Sequence, residues 1–252
     1  CQLSTTNEQA IKDDFELITR GRISQPIHSS NILFGKENIF IEEGAVVRAC
    51  TINAENGPVY IGRDALVMEG TTIRGSVAIC NNAVVKMGTK LYVGTTIGPH
   101  CTVGGEIKNS MMIGYSNKAH DGYLGDAVIG EWCNLGAGTS NSNVKNTAGD
   151  IKMWSGIDND FIVVGTKAGL IMGDYSRSAI NTSFNTGTVV GVCCNVYGSS
   201  FPPKHIASFS WGNKRYELDK AFTDIERWKQ MKGETLNEKE TEMIKHLFTM
   251  EL

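Results

Sequence analysis

Two polar stretches of this chain stand out as places for chemistry. Residues 104–126 read GGEIKNSMMIGYSNKAHDGYLGD and residues 140–161 read SNSNVKNTAGDIKMWSGIDNDF, both rich in Asn, Lys and Gly. His120 is the one histidine in either. Imidazole exchanges its proton near neutral pH, so His120 is the natural candidate for proton transfer. The competing description is a solvated surface loop, since Asn and Gly also serve ordinary turns. Other chemistries find less support. His28, His100, His120, His205 and His246 include no closely spaced pair, and zinc sites need converging ligands. The seven cysteines form no CxxC pair and read as small buried side chains in a reducing, cytoplasmic compartment. No Gly-rich nucleotide loop precedes residue 20. With a net charge of −3, no basic excess points to nucleic acid, and no apolar run reaches membrane-spanning length.

What positions these stretches is a repeat. Ile61, Val67, Ile73, Ile79, Val85, Leu91, Ile97 and Val103 follow one another at a step of six. The residue two before each is small or β-branched, from Val59 and Ala65 to Thr95 and Cys101. Neither a helix nor a simple strand has this period; it marks a hexapeptide-repeat parallel β-helix. The phase returns at Ile41 and Val47, at Ile129 and Leu135, and at Met172, Ser178, Phe184, Val190 and Val196. Three hexads make one coil whose aliphatic side chains point inward and stack on the next coil. A glycine following the inward residue, as at Gly62, Gly98, Gly130, Gly136, Gly173 and Gly191, is expected to free the backbone at a corner. The 28 glycines and only 5 prolines suit many tight corners between strands that need their backbone donors. The two polar stretches are where the phase breaks, and insertions project from a solenoid at such breaks.

The ends differ in composition. Ile11, Phe15 and Ile18 give residues 7–20 a helical spacing, with Gly21 at the C-cap. Leu218, Ala221, Phe222, Ile225 and Trp228 make the apolar face of a second helix, and Thr235 to Glu238 has the form of a capping box opening a third. The organisation expected is an N-terminal helix and linker over 1–30, a β-helix over 31–200 and a helical extension over 201–252. The last 40 residues hold 17 charged side chains, a solvated helix surface.

The breaks also carry a resemblance. Asn117-Lys-Ala-His-Asp-Gly-Tyr-Leu-Gly-Asp126, then Ala-Val-Ile-Gly130, Asn134-Leu-Gly-Ala-Gly-Thr139 and Asn143 run ungapped along a known motif. They resemble the acetyltransferase part of the bifunctional UDP-N-acetylglucosamine pyrophosphorylase and glucosamine-1-phosphate N-acetyltransferase family. The likeness is good over about residues 59–143 and loose over 162–198. Phe201 to Gly212, with Phe-Pro-Pro and Ser-Phe-Ser-Trp-Gly, is similar to sugar nucleotidyltransferase-like proteins with the same β-helix.

The resemblance implies an all-β fold, a left-handed parallel β-helix of hexapeptide repeats with short flanking α-helices, assembled as a homotrimer. It implies acetyl-CoA as acyl donor, a small-molecule sugar phosphate as acceptor, and no metal in the transfer step. It also implies a nucleotidyltransferase domain ahead of this chain, which opens at Cys1 rather than Met. His120 matches the catalytic histidine, Asn143 an asparagine near the sugar amine, and Tyr123 a substrate-contacting tyrosine. Lys86 and Lys108 match phosphate-binding cations, with Lys in place of the forked Arg at 86. Thr166 and Lys167, after Gly165, fall where a CoA-contacting Ser lies. There are departures. Val144 replaces Tyr, Asp121-Gly122 replaces Leu-Thr, Lys145 and Lys152 lie near a family lysine without an ungapped match, and no later Arg matches. They keep a second function open, that of a non-catalytic trimerisation or regulatory β-helix of a sugar-1-phosphate nucleotidyltransferase.

Overall fold

The computed structural model describes residues 2–250, so Cys1 lies outside the described residues. Three parallel sheets wall a solenoid. Sheet 1 runs from Ile32–Phe34 through Thr51–Asn53, Thr72–Arg74, Lys90–Leu91 and Glu106–Lys108 to Tyr123–Gly125. Sheet 2 stacks nine strands from Ile39–Ile41 to His205–Ile206. Sheet 3 runs from Val46–Val47 to Ser210–Trp211 and is closed by Lys214–Arg215 in antiparallel pairing. The period of six sets this register: Ile61 sits opposite Ile79, which sits opposite Ile97. These side chains are fully buried in one continuous core. Each buried isoleucine contributes ~1.5–3 kcal/mol.

The glycines expected to free the corners do something else. Gly62, Gly98, Gly136 and Gly191 are absent from the left-handed region. They sit where a Cβ would strike the next coil: at Gly98 it would lie 1.9 Å from the Ile113 carbonyl oxygen. The left-handed corners between sheets 2 and 3 belong instead to Asp64, Asn82, His100, Tyr115, Trp132, Tyr175, Cys193 and Phe209. From His100 upward this column is largely aromatic. The rings of His100 and Tyr115 stack at 4.5 Å, and those of Tyr115 and Trp132 at 4.3 Å.

The helices cover faces of the solenoid. Helix α1 (Gln2–Thr19) lies against sheet 2, with Ile11 buried, the Asn7 amide donating to the Gly94 carbonyl, and Gly21 left-handed past its end. Helices α2 (Leu218–Gln230) and α3 (Glu238–Met250) cap the aromatic column. There Lys229 lies over the Trp132 ring and pairs with Glu240, which also accepts from the Tyr175 hydroxyl. The capping box of α3 falls two residues later than expected. Asn237 and Glu240 each accept from the other's backbone N–H, because α3 starts at Glu238.

The first phase break is no insertion. Residues 104–126 stay in the walls, and the coil shortens: Ile97 stacks on Met112 and Met112 on Ile129, steps of 15 and 17 residues in place of 18. The second break does project. Between Asn141 and Ala168 the chain leaves the wall to form an antiparallel hairpin, Lys152–Ser155 with Asp160–Val163.

Candidate active site

The strand Tyr123–Gly125 divides the site residues between two corners of the solenoid. At its far end a column repeats every 17 residues: Asn109, Asp126, Asn143. Asp126 accepts at 2.5 Å from the amide of each asparagine, one on each carboxylate oxygen. Asn143 also donates to the Tyr123 hydroxyl at 3.2 Å, and its backbone carbonyl accepts from Ala168 N–H. With its amide nitrogen so engaged, the Asn143 amide oxygen keeps no protein donor among the described residues. Tyr123 reaches this corner because residue 125 is glycine: a Cβ there would lie 2.2 Å from the phenol oxygen. Burial first, then the Asp126 carboxylate, raise the Tyr123 phenol above its ordinary range, so it stays a hydroxyl. Lys108 pairs with Gly125 across the sheet, is exposed, and gives its carbonyl to Asp126 N–H.

At the near corner, between sheets 3 and 1, His120 is exposed and its ring has no hydrogen-bond partner among the described residues. Lys86 belongs to this corner too. Val85 pairs with Val103 and Val103 with Lys118, which puts Lys86 two strand spacings, ~10 Å, from Ala119. The structure thus joins Tyr123 to Asn143 beside Lys108, and sets His120 and Lys86 apart from them within one chain. Thr166 and Lys167 are exposed and lead directly into Ala168, so they stand beside Asn143.

Sequence reasoning missed three things. Asn109 and Asp126 complete the Asn143 column, and their 17-residue spacing was the available signal. Lys118 fills an inward position, 1% exposed, and donates to the carbonyls of His120 at 2.5 Å and Asp121 at 3.1 Å. Beyond Asn143, a groove of about 800 Å³ opens between the hairpin and the last coils. Ser142, Lys145, Lys152, Phe161, Phe201 and Lys204 line it. Burial, then the nearby Lys145 charge, lower the Lys204 amine below its ordinary range. None of the three lysines is in an ion pair among the described residues. Asp160 also lines the groove, and the three lysines leave it a cationic excess that suits a phosphate-bearing ligand.

Period, walls and corners define a hexapeptide-repeat β-solenoid. The chain is similar in sequence to bifunctional proteins GlmU. It is 31% identical to that of Methanocaldococcus jannaschii over 136 residues, 54% of this chain and 32% of the relative. It is 38% identical to that of Gloeobacter violaceus over 88 residues, 32% of this chain and 19% of the relative. The chain therefore spans about a third or less of the length of these relatives. No protein-family model matches. Among solved structures, a UDP-N-acetylglucosamine acyltransferase of Francisella novicida aligns with 89% of this chain and 86% of its own, at 15% identity and a TM-score of 0.42. No helix among the described residues is long and apolar enough to cross a membrane.

Proposed function

We propose that this chain is the acyl-transfer part of an acetyl-CoA-dependent N-acyltransferase whose acceptor is an amino-sugar phosphate of the glucosamine 1-phosphate type. The observation that carries the reading is the Tyr123–Asn143–Asp126 cluster, with Lys108 on one side and the three-lysine groove on the other. Lys108 meets the sugar phosphate. The Tyr123 hydroxyl and the free Asn143 amide oxygen hold the sugar, the latter accepting from its amine. The Lys145, Lys152 and Lys204 groove takes the phosphates of the CoA end, with Thr166 and Lys167 along the path to Asn143. The amine attacks the thioester carbonyl, so an N–C bond forms and the C–S bond breaks. His120 takes the amine proton as general base, and that proton goes on to the departing sulfur.

His120 and Lys86 stand at the opposite corner of the wall from Asn143. The strand and its flanks, from His120 to Gly125, span ~15 Å when extended. A trimer resolves this separation by setting the near corner of one subunit against the far corner of the next. Ile32 and Phe34, exposed on the outer face of sheet 1, supply apolar surface for such an assembly. A nucleotidyltransferase domain ahead of this chain belongs to the same proposal.

Calorimetric titration with acetyl-CoA tests it. Binding by the wild type, weakened roughly tenfold or more in Lys145→Ala/Lys204→Ala, is the expected result. No heat from the wild type would leave the non-catalytic trimerisation module as the better account.

A further inference from the structure

The aliphatic columns inside the solenoid are interrupted by polar residues at the coils that carry the site. On sheet 3 the inward series runs Val67, Val85, Val103 and then Lys118. In the column of Leu124, the next inward residue is Asn141, whose strand pairs with that of the inward Phe184. Lys118 and Asn141 are both buried. Moving a charged or amide group into such a core is costly unless hydrogen bonds compensate it.

Their partners are backbone atoms, all in one short segment apart from the Ser142 carbonyl, which accepts from Asn141 at 3.3 Å. Lys118 donates to the His120 and Asp121 carbonyls at the near corner. Asn141 accepts from Gly125 N–H at 2.9 Å and donates to the Gly125 carbonyl at 2.9 Å at the far corner. The segment they hold carries His120, Tyr123 and the glycine over which Tyr123 folds. Elsewhere in the solenoid an aliphatic side chain at these positions suffices for folding, as Val85, Val103 and Leu135 show.

We propose that Lys118 and Asn141 are positioning residues that clamp the two ends of the 120–125 segment from inside the solenoid, and so fix where His120 and Tyr123 point. The clamp itself rests on geometry alone; its effect on turnover rests on the acyltransferase reading.

Lys118→Met and Asn141→Leu restore the apolar column at similar volume. Replacing a buried charge by a packed apolar side chain is often neutral or stabilising. We expect an unchanged or raised melting temperature in Lys118→Met and a modestly lowered one in Asn141→Leu, which leaves the Gly125 N–H and carbonyl without their side-chain partner. Hydrogen exchange of the 119–126 backbone should quicken tenfold or more, with the remaining coils unaffected. In the active protein, kcat should fall by ~10²-fold, the effect of an ångström-scale misplacement, with KM for the sugar phosphate nearly unchanged in Lys118→Met. Unaltered exchange over 119–126 in a folded variant would overturn the clamp whatever the enzyme's activity. A general loss of stability in both variants would also overturn it, by making these residues part of the core. Localised loosening in a wild type that transfers no acyl group would leave the clamp standing and defeat only the acyltransferase reading.

Discussion

Lys118 makes a prediction that needs no substrate. Burial lowers its amine from 10.5 to about 8, against a smaller opposing influence of Asp121. Between those values the unfolded chain holds the proton and the folded chain has released it. Stability therefore rises with pH across this window, and the cost of the buried charge is present in full below pH 8. Each pH step of one within the window is worth ~1.4 kcal/mol, so the relief amounts to about 1 kcal/mol by pH 9 and about 2–3 kcal/mol by pH 10. Cys101, Cys133 and Cys193, pushed up to about 12 by burial, work the other way above pH 9. They are common to wild type and Lys118→Met and cancel in the comparison. Urea unfolding midpoints of the two proteins, measured from pH 7 to 10, isolate the lysine. The wild type should gain on the variant as pH rises. Parallel curves would refute this, because they would mean that Lys118 keeps its ordinary pKa in the folded state.

Other perturbations address the walls of the site. Gly125→Ala puts a methyl group where the Tyr123 hydroxyl lies and should displace the ring from Asn143, at a stability cost of ~1–3 kcal/mol. KM for the acceptor should rise; an unmoved Tyr123 in a crystal structure of the variant would contradict this. Lys108→Ala should raise KM for a phosphorylated amino sugar and leave an unphosphorylated one alone, which steady-state kinetics with both sugars decides. Trp132→Ala removes the ring between Tyr115 and Lys229 and should destabilise by ~3–5 kcal/mol. Limited proteolysis should then cut residues 217–237 first; an unchanged cleavage pattern would remove the aromatic column as the anchor of α2 and α3.

Much of the fold was legible because one physical requirement recurs. An inward aliphatic residue every six positions is the condition for stacking coils, and Ile61, Ile79 and Ile97 meet it without exception. The misreadings came from places where two requirements give the same residue. Gly98 satisfies both a free corner and a close approach to the next coil, and only the folded chain separates them. At residues 104–126 a change of step from 18 to 15 looks, in sequence, like an insertion. Lys118 was invisible as an inward residue because a charge at an aliphatic phase reads as a break in the phase. At the site, the family motif picked out Tyr123 and Asn143, while the 17-residue step that stacks Asn109, Asp126 and Asn143 was readable and went unread. The separation of His120 from Asn143 was not readable, since it depends on which corner each residue turns.

The central claim is acyl transfer, and thiol release measures it most directly. Wild-type protein with acetyl-CoA and glucosamine 1-phosphate should release one CoA thiol for each sugar that gains an acetyl group by mass spectrometry. His120→Ala should do so ~10²-fold more slowly, with sugar-phosphate binding retained. No release by the wild type, or equal turnover by the variant, would contradict the account.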